Sequence, residues 1–435
     1  MVNYSVKLKR NLKKIINSMA KDVSLFVKDP GRDFIRNRKL DFSTMLMLLI
    51  SMGGKTLNEE LLEYFNFKDF SPTGSAFIQQ RSKIQLYAFE HLLKEFNKKL
   101  SFVKTYKNYR LLAVDGSDLN YAANPNDKEC YFYNKQTLKD YNIIHLNAVY
   151  DLLNKTYVDA CIQTRRKSNE RKALNTMVDR LNLPCKAIYI LDRGYEGYNT
   201  MAHIEESGNN YLIRVKDTNS SGILSGYDLP DDEFDITIKR LLTRKNNKKI
   251  NSAPDIYKKL KSTVFDFISE ESNDTYEICF RIVRIKLEDD KYECLITNLP
   301  EDEFSAEALR DLYALRWGIE TSFRKLKYTI GLVNFHSKKA EFICQEIFAR
   351  IVTYNFCESI TNHTIITTKT KKYVYEINFS SAVFICKGFL RQKKFGIPLN
   401  VEALISKYTV PIRKNRKYKI NLKSQSYVSF IYRIA

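Results

Sequence analysis

Residues 1–100 alternate apolar and polar positions at helical spacing. DFSTMLMLLISM opens with Asp41 and Ser43 as N-cap candidates. TLNEELLEYF carries a capping-box pattern, Thr56 with Glu59 three residues on. SPTGSAFIQQRSKIQLYAFEHLLKEFNKKL starts at turn residues and continues with helical apolar spacing. From residue 109 the period changes. YRLLAVD reads as a buried strand, and NIIHLNAVYD and TYVDACIQ are strand-like runs joined by a polar LLNK turn. NERKALNTMVDRLN follows as an amphipathic helix, KAIYILD as a buried strand, EGYNTMAHIEES as a helix and NYLIRVK as a further strand.

Strand, strand, strand, helix, strand, helix, strand is the order of a ribonuclease H-like α/β core. In it an antiparallel meander is extended by parallel strands through helical crossovers. Residues 216–300 interrupt that scheme with turn-rich SSGILSGYDLPDDE and a Lys/Asn-rich loop around 244–252. A strand pair follows, with its turn at residues 288–291. SAEALRDLYALRWGIETSFRKLKYTIGL reads as helical, and residues 340–435 as mixed and basic, ending in KYTVPIRKNRKYKINLK. The expected organisation is an N-terminal helical domain (1–105), the first part of the core (106–215) and a β-rich insertion (216–300). The last part of the core (301–345) and a basic C-terminal region (346–435) follow.

Charge sharpens this picture. Lys plus Arg is 71 against 50 Asp plus Glu, a net charge of +21, which points to a polyanionic partner. Residues 1–100 carry +8, residues 331–435 carry +13, and the middle balances to zero. Two basic flanks around a neutral centre suit a phosphate-gripping surface assembled from both ends. Short N-terminal helices with basic patches suit a DNA-binding domain, a helix-turn-helix being one form. The bland alternative is a solubility charge on a Lys-rich chain. With 44% hydrophobic residues, the chain has material for a core, which sets aside disorder. The longest apolar run, residues 45–50, falls far below the roughly 20 residues a bilayer needs, so no membrane role is expected. The N-terminus has a basic start without an apolar h-region or cleavage site, which speaks against a secretory signal and for a cytoplasmic protein. Eight scattered cysteines without a C-x-x-C pair, Cys279 and Cys386 among them in apolar runs, read as buried reduced thiols.

Candidate chemistry lies in carboxylates. LLAV is expected to end at Asp115, followed by Gly116 and Ser117. IYIL is expected to end at Asp192, followed by Arg193, Gly194 and Tyr195. A buried strand delivering a carboxylate at its C-terminal end is an active-site arrangement in α/β folds. The alternative is that each Asp only starts a turn. In YALRWGIETSFRKLK, Tyr313, Arg316, Glu320 and Lys327 fall within roughly a 60° arc of one helix. Such a stripe is not a hydrophobic core face. Its plain alternative is a solvated face with an i,i+4 pair, Arg316 with Glu320, and with Trp317 and Ile319 anchoring the helix. Three carboxylates from two strands and a helix suit a pair of Mg²⁺ or Mn²⁺ ions, since hard cations take oxygen ligands.

Tyr-x₂-Arg-x₃-Glu-x₆-Lys resembles the YREK signature of DDE transposases from bacterial insertion sequences, the IS-four type. It is complete at Tyr313, Arg316, Glu320 and Lys327. Asp115–Gly116–Ser117 resembles the family's first-Asp motif and Asp192–Arg193–Gly194–Tyr195 the second. HLNAVYDL and the polar run at Asn169–Glu170 are also similar to family segments. The resemblance covers roughly residues 75–340. It implies a ribonuclease H-like core and cut-and-paste movement of an element through its terminal inverted repeats. It further implies that Asp115, Asp192 and Glu320 are catalytic and bind two divalent ions. Tyr313, Arg316, Lys327, Arg193 and Trp317 then contact DNA, Trp317 beside a distorted or flipped base. The implied partners are element ends and target DNA, with a homodimer assembled on DNA at the bacterial nucleoid. No ATP is needed, consistent with the absence of a G-x-x-x-x-G-K-[ST] loop. Two other readings stay open, a ribonuclease H-like nuclease without strand transfer and a catalytically silent DNA-binding repressor.

Overall fold

The computed structural model describes residues 3–412, apart from 37, 101–103, 136–137, 261–263, 288–290, 367–373 and 393–399. Residues 288–290 of the expected turn and most of the basic tail therefore lie outside the described residues.

Five helices come first: α1 (Tyr4–Lys21), α2 (Phe42–Ser51), α3 (Leu57–Tyr64), α4 (Gly74–Arg81) and α5 (Tyr87–Lys98). Their starts are chemical. Asp41 caps α2 by accepting from Thr44 N, and Ser43 lies inside the first turn. Thr56 and Glu59 form the reciprocal capping box of α3, and Thr73 caps α4. Each side-chain oxygen satisfies a backbone N–H that the helix itself leaves unpaired.

The strands that follow are β1 (Arg110–Tyr121), β2 (Tyr131–Asn134), β3 (Lys139–Asp151), β4 (Thr156–Thr164), β5 (Ala187–Leu191) and β6 (Asn210–Val215). Helix α6 (Glu170–Arg180) joins β4 to β5, and α7 (Tyr198–Glu206) joins β5 to β6. β3 pairs antiparallel with β1 and β4, while β5 is parallel to β1 and to β6. Parallel neighbours need a crossover, and the two helices supply it.

Residues 216–300 continue this sheet. β7 (Phe234–Thr243), the short α8 (Lys248–Asn251), β8 (Tyr257–Lys259), β9 (Thr275–Lys286) and β10 (Tyr292–Thr297) extend it beyond β6. The order is β2-β3-β1-β5-β6-β10-β9-β7-β8, with β4 also on β3, ten strands among the described residues. The fold is thus mixed α/β around one large mixed sheet.

Both sheet faces are covered, and β1 shows how. Leu111 and Ala113 pack on one face and Leu112 and Val114 on the other, all fully buried. Burying each such Leu or Val contributes about 1.5–3 kcal/mol, so a one-residue slip would be costly and the register is pinned. Helices α6 and α7 cover the face holding Leu112 and Val114. The other face takes α9 (Ala306–Ala314), α10 (Trp317–Arg324), a π-helical turn (Lys325–Ile330), α11 (Ala340–His363) and α12 (Phe379–Arg391).

α11 is buried almost all round and forms a common core with α1, α2 and α5. Buried polar contacts tie it to the N-terminal helices. Arg81 donates to Gln345 (2.9 Å) and Glu346 (2.8 Å), and Arg350 Nη2 donates to the Gly53 carbonyl (2.6 Å). Small elements α13 (Val401–Ile405), β11 (Tyr375–Ile377) and β12 (Thr409–Pro411) complete the described chain. The described cysteines carry no disulfide, and Cys386 is buried. Cys279 is exposed, against expectation, because it falls on the outward phase of β9.

Candidate active site

Asp115 lies inside β1 and not at its end. The strand runs six residues further because β3 keeps pairing with it, from Asp115↔Ala148 to Tyr121↔Asn142. On its other side β5 stops pairing after Ala113↔Ile190. The sheet therefore opens beside Asp115, where β5 gives way to Asp192. Asp192 caps a 3₁₀ turn, Arg193–Tyr195, by accepting from Gly194 N at 2.8 Å. Arg193 is exposed on that turn.

The expected single helix is broken. α9 ends at Ala314 and α10 begins at Trp317. Between them Leu315 N and Arg316 N bond three residues back, to Leu312 and Tyr313. Beyond α10 the chain widens into the π-helical turn that holds Lys327 and closes at Gly331, whose φ is +99°. A regular arc of four residues is therefore not what is formed. Tyr313 is buried in an apolar cluster with Leu309 and Leu312, so this part of the stripe is a core face after all. Ile319 anchors α10, but Trp317 does not, being 63% exposed. Gly318 lets α10 approach the sheet, since a Cβ there would sit 2.9 Å from Leu152 Cδ2. Ser322 Oγ meets Tyr157 Oη of β4 at 2.8 Å, and Lys325 pairs with Glu358 of α11 at 2.8 Å, which fixes the helix.

On this frame Asp192, Glu320 and Arg316 each come within electrostatic reach of Asp115, and Arg316 within reach of Glu320. Burial pushes the Asp115 carboxyl up to about 6, and Asp192 and Glu320 push the same way, against the Gly116 N–H and Arg316. Arg316 is 8% exposed and donates to Glu320 Oε1 at 2.7 Å. Burial opposes its charge, but Tyr313, Glu320 and Asp115 outweigh that and raise it. Its buried Nε has no hydrogen-bond partner. Lys327 Nζ donates to the Asp118 carbonyl at 2.9 Å. Burial lowers its pKa, with Asp118 and Asp115 opposing.

Asp115, Asp192 and Glu320 offer oxygen donors, the type a hard divalent cation takes. Among the described residues, no three His, Cys, Asp or Glu side chains stand at metal-ligand spacing. Glu320 instead faces the Arg316 guanidinium.

The sequence reading assigned no role to a second polar group beside this one. His145, on β3 opposite Asp118, has Nδ1 2.6 Å from Asp118 Oδ1. Its Nε2 is 3.0 Å from Glu170 Oε1, close but off the line of a good hydrogen bond. Burial works against its charge, yet Asp118 and Glu170 prevail and hold it at about 9. Arg165 Nε reaches Asp118 Oδ2 at 3.1 Å. These partners are distant in sequence and meet only through strand register. The visible signals were HLNAVYDL, which opens at His145, and the polar run at Asn169–Glu170, both similar to family segments. A cleft lined by Glu90, Lys94, Asn97, Asp159 and Arg180 contains none of these residues.

A family described as "Transposase DDE domain" matches residues 106–356, more than half of the chain. Over 58 residues the chain is 45% identical to InsL of insertion sequence element IS186A from Escherichia coli (strain K12). It is equally similar to the transposase for insertion sequence element IS421 from Escherichia coli. Each match covers 13% of this chain and 16% of the relative. A cryo-EM structure of the piggyBac transposase synaptic complex with hairpin DNA aligns with a TM-score of 0.45 and 9% identity. It covers 93% of this chain and 85% of that one. The family match takes in the segment that carries Asp115, Asp192 and Glu320, and the chain belongs to the Transposase DDE domain family.

Proposed function

We propose that the protein is a metal-dependent DNA transposase with a ribonuclease H-like core. It would cut at the terminal inverted repeats of its insertion sequence and join the 3′-OH ends to target DNA. One observation supports this reading: within the family's domain, Asp115 lies within electrostatic reach of Asp192, Glu320 and Arg316. The carboxylates would hold Mg²⁺ or Mn²⁺. Bound there, divalent ions supply an activated water and stabilise the attacking and leaving oxygens at phosphorus.

The chain's own residues do the rest. Arg316 holds Glu320 in place and presents a fixed positive charge, and a guanidinium can take a phosphate bidentately. Lys327 stands beside Asp118 with its ammonium available to a backbone phosphate, and Arg193 is exposed next to Asp192. Trp317, with the Arg316 guanidinium 5.6 Å from its ring, offers an exposed surface to an unstacked base. Tyr313 backs this group from the core. Water attacks phosphorus at the element end, the bond to the 3′ oxygen breaks, and the freed 3′-OH attacks phosphorus in target DNA. Phosphodiester bonds are exchanged, so no ATP is consumed. Work on two ends suggests a homodimer assembled on double-stranded DNA, at the bacterial nucleoid. No helix among the described residues is long and apolar enough to cross a membrane.

The test is strand transfer. A pre-cut duplex carrying the gene's own flanking end, incubated with supercoiled plasmid and Mg²⁺, should yield joined products. Cleavage of uncut ends without any joined product would replace this reading with a nuclease. Binding with neither would indicate a silent DNA-binding protein.

A further inference from the structure

Glu170 opens α6 on the first turn, and its two carboxylate oxygens face the two Asp–Gly segments. A Cβ at Gly116 would stand 2.6 Å from Glu170 Oε1 and 2.5 Å from His145 Nε2. A Cβ at Gly194 would stand 4.0 Å from Glu170 Oε2. The carboxylate therefore lies between the backbone that follows Asp115 and the backbone that follows Asp192. Gly116 lets it approach so closely, since any side chain there would collide with it.

Glu170 is also held. His145, 4% exposed, stands between Asp118 Oδ1 at 2.6 Å and Glu170 Oε1 at 3.0 Å. Asn169 caps α6 by accepting from Lys172 N at 3.0 Å, which sets the helix start and the place of Glu170. Exposure of 43% leaves the carboxylate open to solvent on its remaining side. A separate observation points into the same space. The Tyr195 hydroxyl is fully buried, has no hydrogen-bond partner, and lies within electrostatic reach of Glu170, Asp115 and Asp192. A buried hydroxyl left unpaired at a group of carboxylates calls for a ligand or a water to complete it.

We infer that Glu170 is a fourth carboxylate of this site and shares in holding its divalent cation. Asp115 and Glu320 approach from the α10 face of the sheet, and Glu170 closes the site from the α6 face. His145 is a positioning residue, since it acts only through Glu170 and Asp118. The inference rests on the metal-dependent reading above, and its test separates the two.

The experiment measures Mn²⁺ binding to the full chain without DNA, by electron paramagnetic resonance of the free ion. Wild type, Glu170→Gln, Glu170→Asp and Asp115→Asn are compared. Loss of a carboxylate in or beside a metal shell lowers affinity about 10–100-fold. Glu170→Gln should weaken Mn²⁺ by at least about tenfold, and Glu170→Asp by less. Glu170→Gln also removes a partner of His145, so thermal unfolding in EDTA is followed for each variant to establish that it is folded at the temperature of the titration. Affinity lost in Asp115→Asn but unchanged in Glu170→Gln would overturn the role of Glu170 and leave the site standing. No Mn²⁺ binding by any of the proteins would overturn both. Fe²⁺-directed peptide cleavage of the wild type needs no variant to fold. Cuts near residues 116, 170 and 194 are expected, and cuts near 116 and 194 without any near 170 would overturn the inference.

Discussion

Arg316 Nη2 lies 2.7 Å from Glu320 Oε1, and the pair stands within electrostatic reach of Asp115. Arg316 is buried, so the pair is more than an exposed i,i+4 contact, and it holds a carboxylate and a guanidinium at one place. Arg316→Lys keeps the charge and loses the planar fork. It should lower cleavage of element ends about 10²-fold, with a melting temperature close to wild type. Equal cleavage rates for the two proteins would assign Arg316 to folding alone.

Lys327 reaches the site from the π-helical turn, where its ammonium meets the Asp118 carbonyl. Each phosphate contact adds roughly one counterion to the salt dependence of DNA binding. Lys327→Ala should weaken binding to an end-bearing duplex and reduce the log–log salt slope by about 1. An unchanged slope would leave Lys327 as a helix residue without a phosphate.

Trp317 is the chain's single tryptophan and is 63% exposed. Its fluorescence therefore reports on one place, next to Arg316. Adding element-end DNA should quench it. Trp317→Ala should cost about 1–3 kcal/mol of binding to a substrate with an unpaired terminal base. Its folding stability should change by less than about 0.5 kcal/mol. Quenching by duplex without any element end, to the same extent, would contradict a role at the end.

The buried Arg81–Glu346 pair joins α4 to α11 at 2.8 Å. Removing one partner leaves an unpaired buried charge, so Glu346→Gln should cost about 3–5 kcal/mol. Burial would raise the Glu346 carboxyl, but His336 and Arg81 outweigh it and hold it well below its ordinary 4.5. A carboxylate whose folded pKa is depressed stabilises the fold above its unfolded value. That stability is lost as pH falls from about 4.5 toward the lower folded value. Melts between pH 7 and 3 should therefore show a steeper acid loss in wild type than in Glu346→Gln. Parallel curves would show that this pair contributes nothing to acid stability.

Much of the frame was legible because local chemistry and burial agree. Thr56 with Glu59, Asp41 before α2, and the apolar runs 111–114 and 187–191 each form the element their pattern predicts. α11 was not legible as a helix. It is buried nearly all round, and a helix without a polar face shows no period. Asp115 read as a strand end because Gly116 follows it, yet pairing with β3 carries the strand on. Two departures from regular α geometry, at 315–316 and 325–330, depend on packing against the sheet and α11. The contact of His145 with Asp118 and Glu170 arises from strand register and helix placement, which no local pattern encodes.

The most direct test of the central claim is cleavage of a labelled duplex carrying the gene's own flanking end. Wild type and Glu320→Gln would be compared in Mg²⁺ or Mn²⁺ and in EDTA. Metal-dependent nicking at the end by wild type, lost in Glu320→Gln while end binding is kept, is the predicted result. Full cleavage by Glu320→Gln, or cleavage by wild type in EDTA, would contradict the account.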